Sequence, residues 1–140
     1  MAYTYDYPMP AVTVDIIVLK KSGQLLLIKR KNDPFKDKWA FPGGYVEKDE
    51  PLICAAMREL KEETGIDNSN LIQFEAVGDP GRDPRGWTIT VVYYLTVDED
   101  VVGKAGDDAA DVRWFSVNEL PEAAFDHKEI FERFLEVHSL

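Results

Sequence analysis

The chain is poor in cysteine, in positive charge and in long apolar runs. Cys54 is the one cysteine in 140 residues, so it closes no internal disulfide and fits no zinc-ligand spacing. It lies in Ile53-Cys54-Ala55-Ala56-Met57 and reads as packing inside a helix. No apolar stretch approaches the ~20 residues of a membrane helix. Met1 to Asp6 has neither a basic stretch nor an apolar core, so no secretory leader is expected and the expected location is the cytoplasm. Internal repeats, low-complexity tracts and linkers are missing. Lys and Arg number 16 against 26 Asp and Glu, a net charge of −10, which opposes binding to a nucleic-acid polymer. A small anionic substrate is not excluded, because carboxylates hold divalent cations and the cations hold phosphates.

Hydrophobic residues make up 45% and charged residues 30% of the chain, the balance of a folded rather than a disordered protein. The length suits one domain over residues 1–140, with residues 1–10, rich in Tyr and Pro, as an extended arm. Val12 to Leu19 is β-branched and apolar and predicts a buried strand; Lys20-Lys21-Ser22-Gly23 is a turn, and Gln24 to Arg30 completes a hairpin. A polar loop spans Lys31 to Lys38. Trp39-Ala40-Phe41 predicts a short strand broken by Pro42-Gly43-Gly44. Pro51 to Thr64 predicts a helix with Pro51 in its first position and Gly65 as its stop. Strands are expected over Leu71–Val77, Trp87–Val97 and Val112–Val117, with an acidic loop from Asp98 to Asp111. Asp126 is expected to cap a last amphipathic helix carrying Ile130, Phe131, Phe134 and Leu135. Together these elements predict a mixed sheet with helices packed on it.

The first helix breaks a local rule. Glu59, Glu62 and Glu63, at i, i+3 and i+4, share one face. Such like charges destabilise a helix by about 0.2–0.5 kcal/mol per pair, and they crowd the C-terminal end, where cations are favoured. A bound Mg²⁺ or Mn²⁺ would remove the conflict; a solvated acidic face screened by Arg58 and Lys61 is the other reading. Leu52, Ala55 and Ala56 continue the carboxylate face. Ile53, Met57, Leu60 and Thr64 form a second stripe, expected to face the core.

The surroundings favour the metal. From Gly44 the chain reads Gly, five residues, Glu50, seven residues, then Arg58-Glu59-Leu60-Lys61-Glu62-Glu63-Thr64-Gly65-Ile66. This resembles the Nudix box, G-x5-E-x7-R-E-U-x-E-E-x-G-U with U a bulky aliphatic, at every fixed position. Trp39 to Gly44 resembles the usual approach to the box. Val112-Arg113-Trp114-Phe115 with Glu119-Leu120 is similar to the family's late strand and turn. The resemblance implies an α+β fold, an α/β/α sandwich with a mixed sheet between helices, and metal-dependent hydrolysis of a nucleoside diphosphate derivative. Carried over position by position, it implies Glu59, Glu62 and Glu63 as metal ligands with the Gly43 carbonyl. It implies Glu59 as candidate base, with Arg58 and Glu62 as catalytic partners, and Gly44 and Glu50 as supports of the loop–helix junction.

The loop Gly78-Asp79-Pro80-Gly81-Arg82-Asp83-Pro84-Arg85-Gly86 resembles that of Nudix ADP-ribose pyrophosphatases. A proline marks that subgroup about sixteen residues past the box; here Arg82 stands there, bracketed by Pro80 and Pro84. The subgroup implies ADP-ribose cleaved to AMP and ribose 5-phosphate. Arg82, Arg85 and Arg30 are candidate clamps for phosphate or ribose oxygens; pairing of the loop arginines with Asp79 and Asp83 is the alternative. Trp39, Phe41 and Trp87 are candidates to stack on adenine, or else core residues. Asp107 or Asp108 of the acidic loop is an alternative general base, or part of a solvated loop. Ala124-Phe125-Asp126-His127 is similar to a segment of ADP-ribose-type members and reads first as a packed junction. His138 reads as inert.

Two other functions stay open. One is a nucleotide-sanitising hydrolase that releases diphosphate from nucleoside triphosphates. The other is a non-catalytic sensor of ADP-ribose-type ligands, since Pro10 to Asp15 looks much like the start of Nudix-like transcription regulators. The end of the chain after the last helix, and its negative charge, are expected to argue against a DNA-binding segment. The expected partner is a small-molecule nucleotide, with no membrane and no nucleic-acid polymer. The arm, with Tyr3, Tyr5 and Tyr7, reads either as a homodimer contact or as a frayed terminus.

Overall fold

The fold is described from a computed structural model over residues 2–106 and 109–138. Nine elements follow in chain order: β1 (Ala11–Lys20), β2 (Gln24–Arg30), β3 (Trp39–Ala40), β4 (Gly43–Tyr45), α1 (Leu52–Thr64), β5 (Ile72–Val77), β6 (Thr88–Val97), β7 (Ala109–Ser116) and α2 (His127–His138). Among the described residues, seven strands form one mixed sheet in the order β3-β2-β1-β6-β5, with β4 added to β1 and β7 to β2. β1 and β6 run parallel over ten paired residues, Ala11↔Thr88 to Lys20↔Val97. Residues 13–19 of β1 are all buried, because the sheet is covered on both faces; this is why the strand reads as a continuous apolar run rather than an alternation.

Period-two geometry sorts the core into two layers. Val14, Ile16 and Val18 pack with Leu26, Val91, Tyr93 and Leu95 against Ala55, Ala56 and Leu60 of α1. Ile17 and Leu19 pack with Leu25, Leu27, Phe41 and Val92 against Ile130, Phe131 and Phe134 of α2. The mixed sheet between two helices is the sandwich expected from the sequence.

One departure from regular pairing makes the cleft. β1 meets β2 only at Leu19↔Leu25 and Lys20↔Gln24. Beyond that point the strands fork: β2 runs with β7 and β3, while Thr13, Val14 and Asp15 take β4 instead. Pro42-Gly43-Gly44 therefore does not simply end a strand. The chain re-enters the sheet at Gly43, and Ile16 N–H closes the gap by donating to Pro42 O at 2.9 Å.

Other expectations need correction. Pro51 lies outside α1 as its N-cap, with φ −60° and ψ 144°, while Gly65 ends the helix at φ 75° and donates to Lys61 O. Only the Leu60–Thr64 half of the expected stripe Ile53-Met57-Leu60-Thr64 packs into the core. Ile53 is exposed and Met57 only half-buried, whereas Ala55, Ala56, Glu59, Leu60, Glu63 and Thr64 are buried. The helix thus turns two glutamates inward, because the small side chains of Ala55 and Ala56 bring that face close to β1. Cys54 is exposed rather than packed. The acidic loop is shorter than expected, since Ala109 and Asp111 pair with Arg30 and Lys29 in β7. Its preceding part is anchored: Lys104 and Gly106 N–H groups donate to Thr64 O and Glu63 O, the terminal carbonyls of α1. Asp107 and Asp108 lie outside the described residues. His138 stacks on Phe134 at 4.1 Å and packs beside Phe74 and Tyr94.

Phe134 is the hinge of the α2 layer, 1% exposed and in ring contact with Phe74, Tyr94, Phe131 and His138. Phe134→Ala is expected to destabilise the fold by about 3–5 kcal/mol, read as a lower denaturation midpoint with an unchanged slope in urea.

Candidate active site

The fork opens into a cleft of about 490 Å³. α1 contributes Arg58, Glu59 and Glu63; β4 contributes Gly43, Gly44 and Tyr45; β1 contributes Thr13 and Asp15. Ile28 and Arg30 of β2, residues 31–33 after it, Ala40, Phe41 and Glu47, Arg82, Asp83 and Arg85 of the 78–86 loop, and Phe125 and His127 of the approach to α2 complete the wall.

The glycines are required by close approach. A Cβ on Gly44 would lie 2.6–2.7 Å from the Glu59 carboxyl group, and one on Gly43 would collide with the Val14 carbonyl and lie 2.6 Å from Asp15 Oδ1. Gly43 pairs with Asp15 between two hydrogen-bonded positions, Ile16–Pro42 and Val14–Gly44. Its N–H and C=O therefore both point away from β1, and the N–H donates to Glu63 Oε2 at 3.2 Å.

Arg58 holds the acidic side together. Its Nε and one terminal nitrogen donate to the two oxygens of Glu50 at 2.8 and 3.0 Å. It also donates to Tyr45 O at 3.0 Å, Glu59 Oε1 at 2.6 Å and Glu62 Oε2 at 3.2 Å. Hydrogen bonds from Arg58 hold Glu50 down from 4.5 to about 2, with help from the Glu47 N–H. In return, hydrogen bonding to Glu50 and then to Glu59 outweighs burial and raises the Arg58 pKa. Glu59 and Glu63 are buried on the cleft wall. Glu62 departs from the expectation: its side chain is 58% exposed, turned to Arg58, and outside the cleft. The reason is helical pitch. At about 100° per residue, Glu62 lies about 60° to one side of Glu59 and about 100° from Glu63, at the edge of the buried arc.

The cationic side comes from β2 and the 78–86 loop. Arg30 donates to Pro34 O at 2.7 Å; burial, then repulsion from Arg85, lowers its pKa. Arg85 is forked onto Asp83 through Nε and a terminal nitrogen, 2.7 Å at the closest, and its guanidinium lies 5.1 Å from the Tyr45 ring centre and 5.2 Å from that of Phe125. Arg82 is different. Its side chain is 5% exposed and makes two bonds to Asp126 at 2.9 and 2.7 Å. Burial opposes its charge, but these bonds outweigh burial and raise its pKa. The pairing also takes the Asp126 carboxylate away from its expected place as a helix cap. Asp79, proposed from sequence as an arginine partner, gives way to Asp126.

The aromatic expectations divide. Phe41 lies in the wall but is 2% exposed, stacked on His127 at 4.6 Å. Trp39 packs against Phe115, beneath Arg113, and does not line the cleft. Trp87 is exposed beside the N-terminal end of β1 and also lies off the cleft. Phe125, with a left-handed φ of 51°, is the ring that the cleft presents instead. Asp83 holds Arg85 as one sequence alternative had it, and Phe125 lies in the Ala124–His127 segment singled out there, but sequence reading missed Tyr45 and Asp15. Only Asp15 carried a visible signal, a single carboxylate within an apolar β-branched strand.

This set fits a hard divalent cation in its chemistry: oxygen donors, two carboxylates on adjacent helical turns, and a backbone kept bare by glycines. Among the described residues, no three Asp, Glu, His or Cys side chains form a ready-made cage. Mg²⁺ does not need one, because it binds through one or two carboxylates and keeps several waters.

The comparisons with known proteins agree with this geometry. A family model for the NUDIX domain matches residues 9–134. The chain is 46% identical over 132 residues to the ADP-ribose pyrophosphatase of Methanocaldococcus jannaschii, covering 92% of this chain and 75% of that one. It is 38% identical over 135 residues to the ADPR responsive transcriptional repressor NtrR of Acinetobacter baylyi, covering 91% of this chain but only 54% of the repressor. Among solved structures, the NUDIX domain of Shewanella oneidensis NrtR complexed with ADP ribose superposes with a TM-score of 0.85 at 29% identity, over 94% of this chain and 92% of that one.

The Glu50 carboxylate reports on the Arg58 junction. Its folded pKa lies below its unfolded value, so its contribution to stability is present above about pH 4.5 and is lost as pH falls toward 2. In Arg58→Gln, a carboxyl-carbon NMR titration is expected to return Glu50 to the ordinary glutamate range, and the acid-unfolding midpoint is expected to move to higher pH.

Proposed function

The chain belongs to the Nudix family of hydrolases, and from that premise we propose that it hydrolyses ADP-ribose to AMP and ribose 5-phosphate with a divalent cation, Mg²⁺ or Mn²⁺. One observation carries the reading. The cleft sets Glu59 and Glu63, beside the bare backbone of Gly43 and Gly44, in the same concavity as Arg30 and Arg85. The first group suits a metal and the second a diphosphate. The similarity to an ADP-ribose pyrophosphatase at 46% identity supports the choice of substrate.

Glu59, Glu63 and the Gly43 carbonyl would hold the cation. When bound, it neutralises phosphate charge and lowers the pKa of a water. The Gly43 N–H and Arg58 keep Glu63 and Glu59 in place. Glu59 is the candidate base that takes the proton of the attacking water; a carboxylate of the 98–111 loop is the alternative. Glu62 at the rim orients Arg58, and Glu50 holds it from the other side. Arg85, presented by Asp83, and Arg30 neutralise and align the diphosphate. Arg82 acts through Asp126, holding the loop against α2. The whole of residues 1–140 is read as one hydrolase domain, acting in the cytoplasm on a small nucleotide.

The likeness to the repressors favours a second reading, a sensor that binds ADP-ribose without turning it over. A product-resolved screen with Mg²⁺ separates the possibilities. AMP from ADP-ribose is expected. Diphosphate from nucleoside triphosphates would select the sanitising activity, and binding without hydrolysis would select the sensor. Glu59→Gln and Glu63→Gln are each expected to lower kcat at least about 100-fold with unchanged melting temperature; full activity in either removes that residue from the site.

The arm supports a homodimer. Tyr3, Tyr5 and Tyr7 are each more than half exposed, and Tyr3 and Tyr5 stack at 6.5 Å, an aromatic strip suited to a second copy. Deletion of residues 1–9 is expected to convert the dimer mass in light scattering to that of a monomer, and an unchanged mass would remove the arm from the interface.

A further inference from the structure

The cleft has a second acidic pole that the proposed hydrolysis does not use. Asp15 faces the α2 side of the sheet, opposite to Glu59, with Gly43 and Gly44 between them. We propose that Asp15 and His127 form the subsite that receives a hydroxyl-bearing sugar of the substrate and excludes a phosphate from that end. The inference rests on the ADP-ribose reading and deepens it.

Asp15 is 8% exposed yet lines the cleft. Its Oδ2 accepts the Thr90 hydroxyl at 2.6 Å. Its Oδ1 lies 3.7 Å from His127 Nε2, beyond hydrogen-bond reach. The His127 tautomer follows from its other nitrogen: Nδ1 accepts the Phe41 N–H at 3.1 Å, so in the neutral ring the proton is on Nε2. A carboxylate acceptor and an imidazole donor therefore stand side by side at the cleft wall. A sugar hydroxyl, which both donates and accepts, matches that pair. An aromatic amine donates only, and a phosphate oxygen only accepts.

The local charge points the same way. Arg82, the arginine on this face of the sheet, is committed to Asp126 by two bonds, while Arg30 and Arg85 across the cleft are held by Pro34 O and Asp83. The approach is open because Gly43 has no side chain: a Cβ there would lie 2.6 Å from Asp15 Oδ1. The buried ring of Phe41 stacks on His127 and fixes the imidazole at the wall.

The test compares ADP-ribose with two derivatives that carry an added phosphate, one at the adenosine 2′ position and one at the terminal ribose 1″ position. In the wild-type protein, one of the two is expected to lose at least tenfold in kcat/KM, mostly through KM, and its identity tells which sugar meets Asp15. In Asp15→Asn, which removes the charge and keeps the shape, that discrimination is expected to shrink at least threefold. General damage to the fold would lower all three substrates together and leave the ratio unmoved. Equal turnover of all three by the wild-type protein overturns the subsite without needing the variant, as does an unchanged ratio in a folded Asp15→Asn. Failure of the wild-type protein to hydrolyse ADP-ribose at all is a separate result, which overturns the proposed reaction itself.

Discussion

Among the described residues, the Arg58 guanidinium donates five hydrogen bonds, to Tyr45 O, both oxygens of Glu50, Glu59 and Glu62. A short helix with glutamates at i, i+3 and i+4 would otherwise carry their mutual repulsion into a partly buried wall. The planar fork of Arg58 removes that conflict and ties α1 to the end of β4 and to the Glu47–Glu50 turn. A lysine has neither the fork nor the donors to bridge these groups. Because β4 is the strand that brings Gly43 and Gly44 to the carboxylates, the position of the whole acidic wall depends on this one side chain.

The second constraint is the fork between β1 and β2. Two residue pairs hold the strands together at one end, and their divergence opens the sheet where α1 and the start of α2 reach it from opposite faces. The cleft therefore joins groups from both layers of the sandwich: Glu59 and Glu63 from one, Asp15, His127 and the Arg82–Asp126 pair from the other. Glycine is needed at Gly43 and Gly44 because their missing side chains are the space through which those layers meet.

Much of this was legible in the chain. The strands Gln24–Arg30 and Thr88–Val97, the Gly65 stop and the amphipathic last helix follow from local patterns that tertiary packing did not override. The 23-residue spacing from Gly44 to Ile66 brought Glu59 and Glu63 to the site, since a helix and a tight turn leave little freedom over that span. Less legible was which side of α1 is buried. Ile53 and Met57 outrank alanine in hydrophobicity, yet Ala55 and Ala56 face β1 because closeness of backbones decides that contact. Glu62 turns to Arg58 for a related reason: the three glutamates spread over about 100° of the helix, and the cleft lining takes only Glu59 and Glu63.

The sequence by itself determined the reaction class, through its match to the Nudix box from Gly44 to Ile66. Carboxylates, an arginine and glycines at set intervals along one continuous segment specify their own geometry through helix pitch and turn stereochemistry. What only the tertiary structure decided is the rest of the cleft. Asp15, Arg82, Phe125 and His127 are separated by up to 112 positions in the chain and meet because β1 runs parallel to β6 and α2 packs beneath the forked strands. Their partners, Asp126 for Arg82 and Phe41 N–H for His127, depend on distances across layers that no local spacing encodes. Thus the carboxylate and glycine pattern lay in the local sequence, while the residues that face it across the cleft belong to the fold.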